Sequence, residues 1–106
     1  DKEFVDELHQ ILINNLGNAK FSVDEFASLM KIGRTVFYKK VKGLTGYSPN
    51  EYLRIMRMKK AAELLITGKF TVSEVSYQVG IDDPFYFSKC FKAQFGVSPS
   101  TYVKGQ

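Results

Sequence analysis

The chain has 106 residues, of which 44% are hydrophobic and 25% charged, as expected for one ordinary globular domain. No apolar run approaches the roughly 18 residues of a membrane span, and the acidic start does not resemble a signal peptide, so we expect a cytoplasmic domain without membrane contact. One cysteine, Cys90, and one histidine, His9, offer neither an internal disulfide nor a familiar metal-ligand set. Because no nucleophile–base set, paired carboxylates or phosphate-binding glycine loop is present, we predict no enzyme, no catalytic residue, no metal and no cofactor.

The net charge of +4 is unevenly distributed along the chain. Residues 1–25 contain two basic and six acidic residues, a net charge of −4, whereas residues 26–106 contain 13 basic and five acidic residues, a net charge of +8. This asymmetry favours a polyanionic partner for the later part of the chain.

Helical spacing of apolar residues from Phe4 to Leu16 predicts a first amphipathic helix over about 2–16, and Gly17 is expected to end it in the left-handed conformation. Ser22 and Glu25 form the pattern of a capping box that opens a short second helix. A third, basic helix is predicted to start within a few residues, near Arg34. Two short helices joined by so short a turn predict a helix-turn-helix.

A long fourth helix is predicted from Ser48 as N-cap, Pro49 at the first helical position and Glu51 closing a capping box. It extends to about Thr67 and is apolar on more than one side, as is typical of a strut packed between two lobes.

The remaining start signals are a capping box at Thr71–Glu74, the pair Asp83–Pro84 and the pair Ser98–Pro99, which predict helices five, six and seven. No segment alternates with period two. The predicted fold is therefore all-α, with seven helices and two helix-turn-helix lobes joined by a long central helix. We expect one domain over 1–106, composed of an N-terminal helix plus first lobe (1–47), the linking helix (48–67) and the second lobe (68–106).

The second half of the chain repeats part of the first. Residues 37–52, FYKKVKGLTGYSPNEY, align without a gap on residues 87–102, FSKCFKAQFGVSPSTY, with seven identities in sixteen positions. The preceding helices match at an offset of 49 rather than 50, so the second turn should contain one extra residue. Such a repeat indicates two copies of one supersecondary unit.

The repeated basic helices are the predicted reading elements, because a helix enters the major groove of DNA with its N-terminal side chains facing base edges. The outward face of the first is formed by Arg34, Thr35, Tyr38, Lys39 and Lys42. The outward face of the second is formed by Pro84, Phe85, Tyr86, Ser88, Lys89 and Lys92, whose aromatic residues favour apolar contact with thymine methyl groups. A single basic face is often only a solvated surface, but its duplication behind duplicated turns favours DNA.

Phosphate groups bind cations and helix N-termini. The predicted phosphate contacts are the two cap residues and one lysine from each basic face, namely Ser22, Lys42, Thr71 and Lys92. A role of Ser22 and Thr71 as plain N-caps remains open, and a cap can do both.

These segments resemble the DNA-binding domain of the AraC/XylS transcription regulators over residues 20–104, through RTVFYKKVKGLTGYSPNEYL, RMKKAAELL and VSEVSYQVGIDDPFYFSKCFKAQFGVSPSTY. The N-terminal helix and acidic start resemble the C-terminal output domain of a bacterial hybrid two-component regulator. The resemblance implies two helix-turn-helix units in successive major grooves. The base-reading residues that it implies are Arg34, Thr35, Tyr38 and Lys39 in the first unit and Phe85, Tyr86, Ser88 and Lys89 in the second.

The sequence departs from the family at three positions. Gly33 replaces the usual serine, Ser76 the usual alanine and Ile81 the usual phenylalanine. We interpret Gly33 as the loss of a side-chain phosphate contact, and the other two as packing changes.

The predicted partner is double-stranded promoter or operator DNA. The alternative is a helical protein-interaction module whose basic faces meet an acidic protein such as a subunit of RNA polymerase, and both kinds of binding could coexist. The isolated domain is expected to be monomeric, with sensing and dimerisation elsewhere in a longer polypeptide. A linking helix of about 18 residues would be roughly 27 Å long, less than the roughly 34 Å between successive major grooves, so we expect bent DNA or incomplete insertion of one unit.

Overall fold

The computed structural model describes residues 1–105, and within them it contains seven α-helices and no strand. All seven predicted helices are confirmed. Their bounds are α1 Lys2–Asn15, α2 Val23–Leu29, α3 Arg34–Thr45, α4 Pro49–Ile66, α5 Val72–Gln78, α6 Pro84–Phe95 and α7 Pro99–Lys104. The chain divides into two compact units, the first formed by residues 1–16 and 20–54, the second by residues 17–19 and the chain from residue 55 onward.

The core of the first unit is built around two aromatic rings that are inaccessible to solvent. Phe26 of α2 and Phe37 of α3 lie with ring centroids 5.0 Å apart, while α1 contributes Leu8 and Leu12, which its helical spacing places on one face. Burial of an aromatic or leucine side chain stabilises a fold by about 1.5–3 kcal/mol. These contacts fix how α3 is rotated about its axis.

The core of the second unit repeats this plan with a larger aromatic cluster. Phe87 and Phe91 of α6 are fully buried, and the Phe91 ring lies 4.6 Å from that of Phe95 and 5.3 Å from that of Tyr102. The edge-on contact with Tyr102 joins α6 to α7. The rotation of α6 is therefore fixed in the same way as that of α3.

The two turns between helices differ in length, as the repeat offset predicts. Four residues separate α2 from α3, and five separate α5 from α6. Each turn has one residue with a left-handed backbone, Lys31 with φ 61° in the first and Gly80 with φ 81° in the second. Glycine adopts this conformation freely, whereas a side chain such as that of lysine makes it unfavourable.

The prediction that Gly17 adopts a left-handed conformation is wrong. The C-cap of α1 is Leu16, in a right-handed conformation, and within residues 1–105 the glycines with positive φ are Gly46, Gly68, Gly80 and Gly96. A Cβ atom on Gly17 would lie 3.0 Å from the backbone oxygen of Gln78. Glycine at this position therefore allows a close approach of the two backbone segments.

Ser76 does more than fill space in the second turn. Its side chain is fully buried, and its Oγ donates a hydrogen bond to the backbone oxygen of Ile81 at 2.6 Å. The N–H of Ile81 in turn donates to the backbone oxygen of Ser76 at 2.9 Å. The matching residue of the first unit is Ala27, which has no hydroxyl, so the first turn lacks this side-chain bond.

Candidate nucleic-acid interface

The outward face of α3 carries the four base-reading residues predicted for the first unit. Phe37 and Val41 are fully buried on the opposite side of the helix. With that side fixed in the core, the 3.6-residue period of the helix leaves the other face in solvent. All four predicted residues of this face are exposed, namely Arg34, Thr35, Tyr38 and Lys39.

These four side chains line one depression of about 300 Å³. Its other walls come from Val23 at the start of α2 and from Pro49 and Asn50 at the start of α4. The depression thus joins the outward face of α3 with the first turns of two other helices. Asn50, with an amide side chain exposed beside this face, was missed by the sequence reasoning. The Ser48–Pro49 start signal could have indicated it, because that signal predicts a helix N-terminus immediately before Asn50.

The first turn of α4 is held in place by a complete capping box. The Ser48 N–H donates to Oε1 of Glu51 at 3.0 Å, and the Glu51 N–H donates to Oγ of Ser48 at 3.3 Å. The backbone hydrogen bond from Ser48 lowers the pKa of the Glu51 carboxyl, with its side-chain bond to Ser48 adding to the effect. The predicted capping box is confirmed, and it fixes the backbone next to Asn50.

One base-reading candidate already has a partner on the protein. Nε of Arg34 lies 3.2 Å from Oδ1 of Asp24 in α2. No role for Asp24 is predicted from the sequence, and its carboxylate lies beside the outward face of α3.

The outward face of α6 has a different chemistry. Phe85 is 85% exposed, and Tyr86 and Lys89 are also exposed, whereas Ser88 is only partly so. A phenylalanine side chain this exposed keeps its apolar surface in water, so it lacks the stabilisation that burial would provide. The first turn of α6 thus presents an aromatic surface.

Helices α3 and α6 also begin differently. Asp83 caps α6 by accepting hydrogen bonds from the N–H groups of Phe85 and Tyr86 at 2.9 and 3.4 Å, and Pro84 follows it. At the matching position α3 has Gly33, whose extended backbone provides no side-chain cap. The capping by Asp83 confirms the start signal predicted for α6.

The predicted phosphate-binding residues all lie at helix ends. Ser22 Oγ accepts from the Glu25 N–H at 3.1 Å, and Thr71 Oγ1 accepts from the Glu74 N–H at 3.1 Å. Both hydroxyl groups therefore act as N-caps, and both residues are exposed. Lys42 and Lys92 are exposed in the last turns of α3 and α6, where a positive charge is favoured by the helix dipole.

Two further pKa shifts occur in α4. Burial raises the pKa of the Tyr52 hydroxyl and lowers the pKa of the Arg57 guanidinium. Nη2 of Arg57 donates to the backbone oxygen of Asn18 at 2.8 Å. The charge of Arg57 is thus used inside the second unit, where it holds the segment that follows α1.

Within residues 1–105 no cluster of three or more histidine, cysteine or acidic side chains is arranged to hold a metal ion. None of the helices in this described part of the chain is both long and apolar enough to cross a membrane.

The pair of helix-turn-helix units, each with an exposed second helix, matches a known family. A family profile described as a helix-turn-helix domain matches residues 26–105, which include α3 to α7. The chain belongs to the AraC/XylS-type helix-turn-helix family. The family predicted from the sequence is therefore confirmed.

Two curated relatives illustrate where such AraC/XylS-type segments occur. A protein of Formosa agariphila named histidine kinase P4 is 39% identical over 102 residues, which are 96% of this chain and 7% of that protein. The lactose operon transcription activator of Staphylococcus xylosus is 40% identical over 90 residues, 85% of this chain and 32% of that protein. The chain thus spans a small part of the first relative and about a third of the second.

Two solved structures have the same architecture. The C-terminal domain of AraT, a response regulator from Geobacillus stearothermophilus, gives a TM-score of 0.90 at 28% identity, covering 97% of this chain and 85% of that one. The DNA-binding domain of the global transcriptional factor AdpA, in complex with a target DNA, gives a TM-score of 0.88 at 28% identity, covering 94% of this chain and 89% of that one.

Proposed function

We propose that this AraC/XylS-type domain is the sequence-specific, double-stranded DNA-binding part of a bacterial transcription regulator. The observation that carries the proposal is its similarity, over nearly the whole chain, to a domain whose structure contains a target DNA. Within this chain, the exposed faces of α3 and α6 provide the side chains that such a function requires.

The first unit is proposed to read DNA mainly through hydrogen bonds. The terminal N–H groups of Arg34 and Lys39 can donate to O6 and N7 of guanine, and Thr35 offers both a hydroxyl and a methyl group. Tyr38 adds a ring and a hydroxyl to the same depression. Asn50 lies beside them and has the amide that pairs with adenine N6 and N7.

The second unit is proposed to contact DNA largely through apolar surface. Phe85 and Tyr86 lie in the first turn of α6, the part of a recognition helix that contacts base edges. Ser88 and Lys89 supply hydrogen-bond donors one turn further along. The two recognition helices would then occupy successive major grooves with unequal roles.

Contacts to the DNA backbone are proposed for one helix start and one lysine in each unit, namely Ser22 with Lys42 and Thr71 with Lys92. The hydroxyl groups that cap α2 and α5 can still donate a hydrogen bond to a phosphate oxygen. The dipoles of these helices favour negative charge at the same ends.

We further propose that residues 1–106 are one output domain of a longer cytoplasmic polypeptide and have no catalytic activity of their own. The proposal is supported by the length of the relatives, of which this chain spans 7% and 32% in the two described above. The sensing and dimerising parts would lie outside this segment, which would be monomeric alone. Contact with RNA polymerase through the basic faces is the alternative, and binding to duplex DNA alone separates the two.

The primary test is selection of bound sequences from a random duplex pool, followed by fluorescence anisotropy on the selected duplex. We expect Lys39→Ala and Lys89→Ala each to weaken binding to that duplex. Lys92→Ala should also reduce the slope of log affinity against log salt by about 0.9, the value for one phosphate contact. Lys60→Ala is the matched control, because Lys60 pairs with Glu63 on α4 at 3.6 Å and is not a proposed contact. Absence of binding to every duplex at low salt would refute the proposed function.

The unequal roles of the two units have their own test. Thr35→Ala is expected to change the preference among variants of the selected duplex more than Ser88→Ala does. Equal changes in preference would contradict the proposal that the first unit reads DNA mainly through hydrogen bonds and the second largely through apolar contact.

A further inference from the structure

A carboxylate lies beside the reading face of α3. Asp24 places Oδ1 3.2 Å from Nε of Arg34, and the side chains of Arg34 and Asp24 are 74% and 68% exposed. Ion pairs this exposed contribute only about 0–1 kcal/mol to stability. The ion pair itself therefore adds little to the stability that an acidic residue gives to the first turn of α2, and it places a negative charge on a surface proposed to bind a polyanion.

The ion pair has no counterpart in the second unit. The repeat aligns Asp24 with Ser73 and Arg34 with Pro84. The second unit thus has an uncharged residue at each of the two positions that form the ion pair in the first. The pair is therefore a feature of the first unit alone and not a requirement of the helix-turn-helix fold.

The contact through Nε constrains what Arg34 can do. A guanidinium has five N–H donors in a planar fork, so an ion-pair contact at Nε leaves the terminal nitrogens available to a base edge. The same carboxylate repels any phosphate that approaches this side of the guanidinium, since like charges close together are unfavourable. An arginine without this neighbour could equally well bind backbone phosphates, which carry no sequence information.

We propose that Asp24 is a specificity-determining residue that positions Arg34 for a base contact and opposes its capture by phosphate. This inference depends on the proposed function of the first unit. It assigns to an acidic residue of α2, outside the recognition helix, a role in discriminating among DNA sequences.

The inference predicts a particular change in Asp24→Asn. Binding to unrelated duplexes should strengthen while binding to the selected duplex changes little. The ratio of the two affinities should therefore fall about tenfold, comparable to the discrimination of one good base contact. Asp24→Glu keeps the carboxylate and should retain most of the ratio.

Glu25→Gln is the matched control. Glu25 is exposed in the same first turn of α2, and its replacement removes the same charge from the same helix. Among the described residues it takes part in no ion pair of the kind that joins Asp24 to Arg34. It should shift the affinities for selected and unrelated duplexes equally, by no more than about twofold, as expected for a screened surface charge.

The experiment measures both affinities by anisotropy for these variants and for each of them combined with Arg34→Gln. The inference holds if the ratio falls in Asp24→Asn, not in Glu25→Gln, and if the fall disappears in the Arg34→Gln background. It is overturned if Asp24→Asn and Glu25→Gln have the same ratio, or if the fall persists without Arg34. Absence of DNA binding by the unsubstituted chain would instead refute the proposed function.

Thermal melting checks that each variant is folded. If Asp24→Asn is unfolded, Asp24→Ser replaces it, since serine is the residue found at this position of the second unit.

Discussion

The exposed ring of Phe85 leads to a prediction about individual methyl groups of DNA. Phe85 is 85% exposed in the first turn of α6 and has no hydrogen-bonding group. Any discrimination that it provides must therefore come from apolar contact, and in the major groove the thymine methyl is the apolar group available. Replacing a contacted thymine by deoxyuridine removes that methyl group and nothing else. At about 0.8 kcal/mol per buried carbon group, each such replacement should weaken binding roughly fourfold.

The assay is anisotropy on the selected duplex with each thymine replaced in turn by deoxyuridine. In Phe85→Ala, no ring is left to cover the thymine methyl group. At positions contacted by Phe85, the affinities for the thymine and deoxyuridine duplexes should therefore differ by less than about 1.5-fold. Tyr77→Ala is the control, because Tyr77 is also a half-exposed aromatic residue but belongs to α5. If Phe85→Ala shows the same deoxyuridine effects as the unsubstituted chain, the assignment of Phe85 to thymine contact is refuted.

Three further predictions concern the turns and the start of α3. Lys31→Gly should raise the free energy of unfolding by about 1 kcal/mol in chemical denaturation, because glycine accepts the left-handed backbone of this turn; an unchanged midpoint would show that the strain is absent. Ser76→Ala should lower the free energy of unfolding by about 1–3 kcal/mol, since the buried hydrogen bond to Ile81 is lost. Ser73 is exposed, so Ser73→Ala should have little effect in the same measurement. Gly33→Ser should stabilise α3 by a few tenths of a kcal/mol as a new N-cap and should strengthen binding to all duplexes alike, as measured by melting and by anisotropy; a gain confined to the selected duplex would contradict a phosphate contact.

Much of the fold could be predicted because its signals are local. Capping residues such as Thr71 and Asp83 determine where helices begin, and spacings such as that of Phe87 and Phe91 determine which side is buried. The role of Gly17 could not be predicted in this way, since it depends on the backbone of Gln78, a residue distant in sequence.

In the candidate site, too, the features set by local sequence could be predicted and those set by contacts between helices could not. The exposure of the α3 and α6 faces follows from helical periodicity, and the structure confirms it for Arg34 and Phe85. The roles proposed for these residues in binding DNA stay predictions. The contact of Arg34 with Asp24 and the position of Asn50 beside α3 arise where separate helices meet. A sequence pattern along one helix contains no information about contacts with the side chains of another helix.

The double hydrogen bond between Ser76 and Ile81 has a consequence for motion. In the first unit Ala27 has no hydroxyl to add a second bond to Ile32, and the backbone bond from the Ile32 N–H to the Ala27 oxygen is longer, at 3.3 Å. Local opening of a segment becomes more frequent as fewer and longer hydrogen bonds hold it closed. We therefore expect the amide hydrogen of Ile32 to exchange with solvent faster than that of Ile81. Helix α3 would then be able to adjust its tilt when different base sequences are offered, while α6 keeps one orientation.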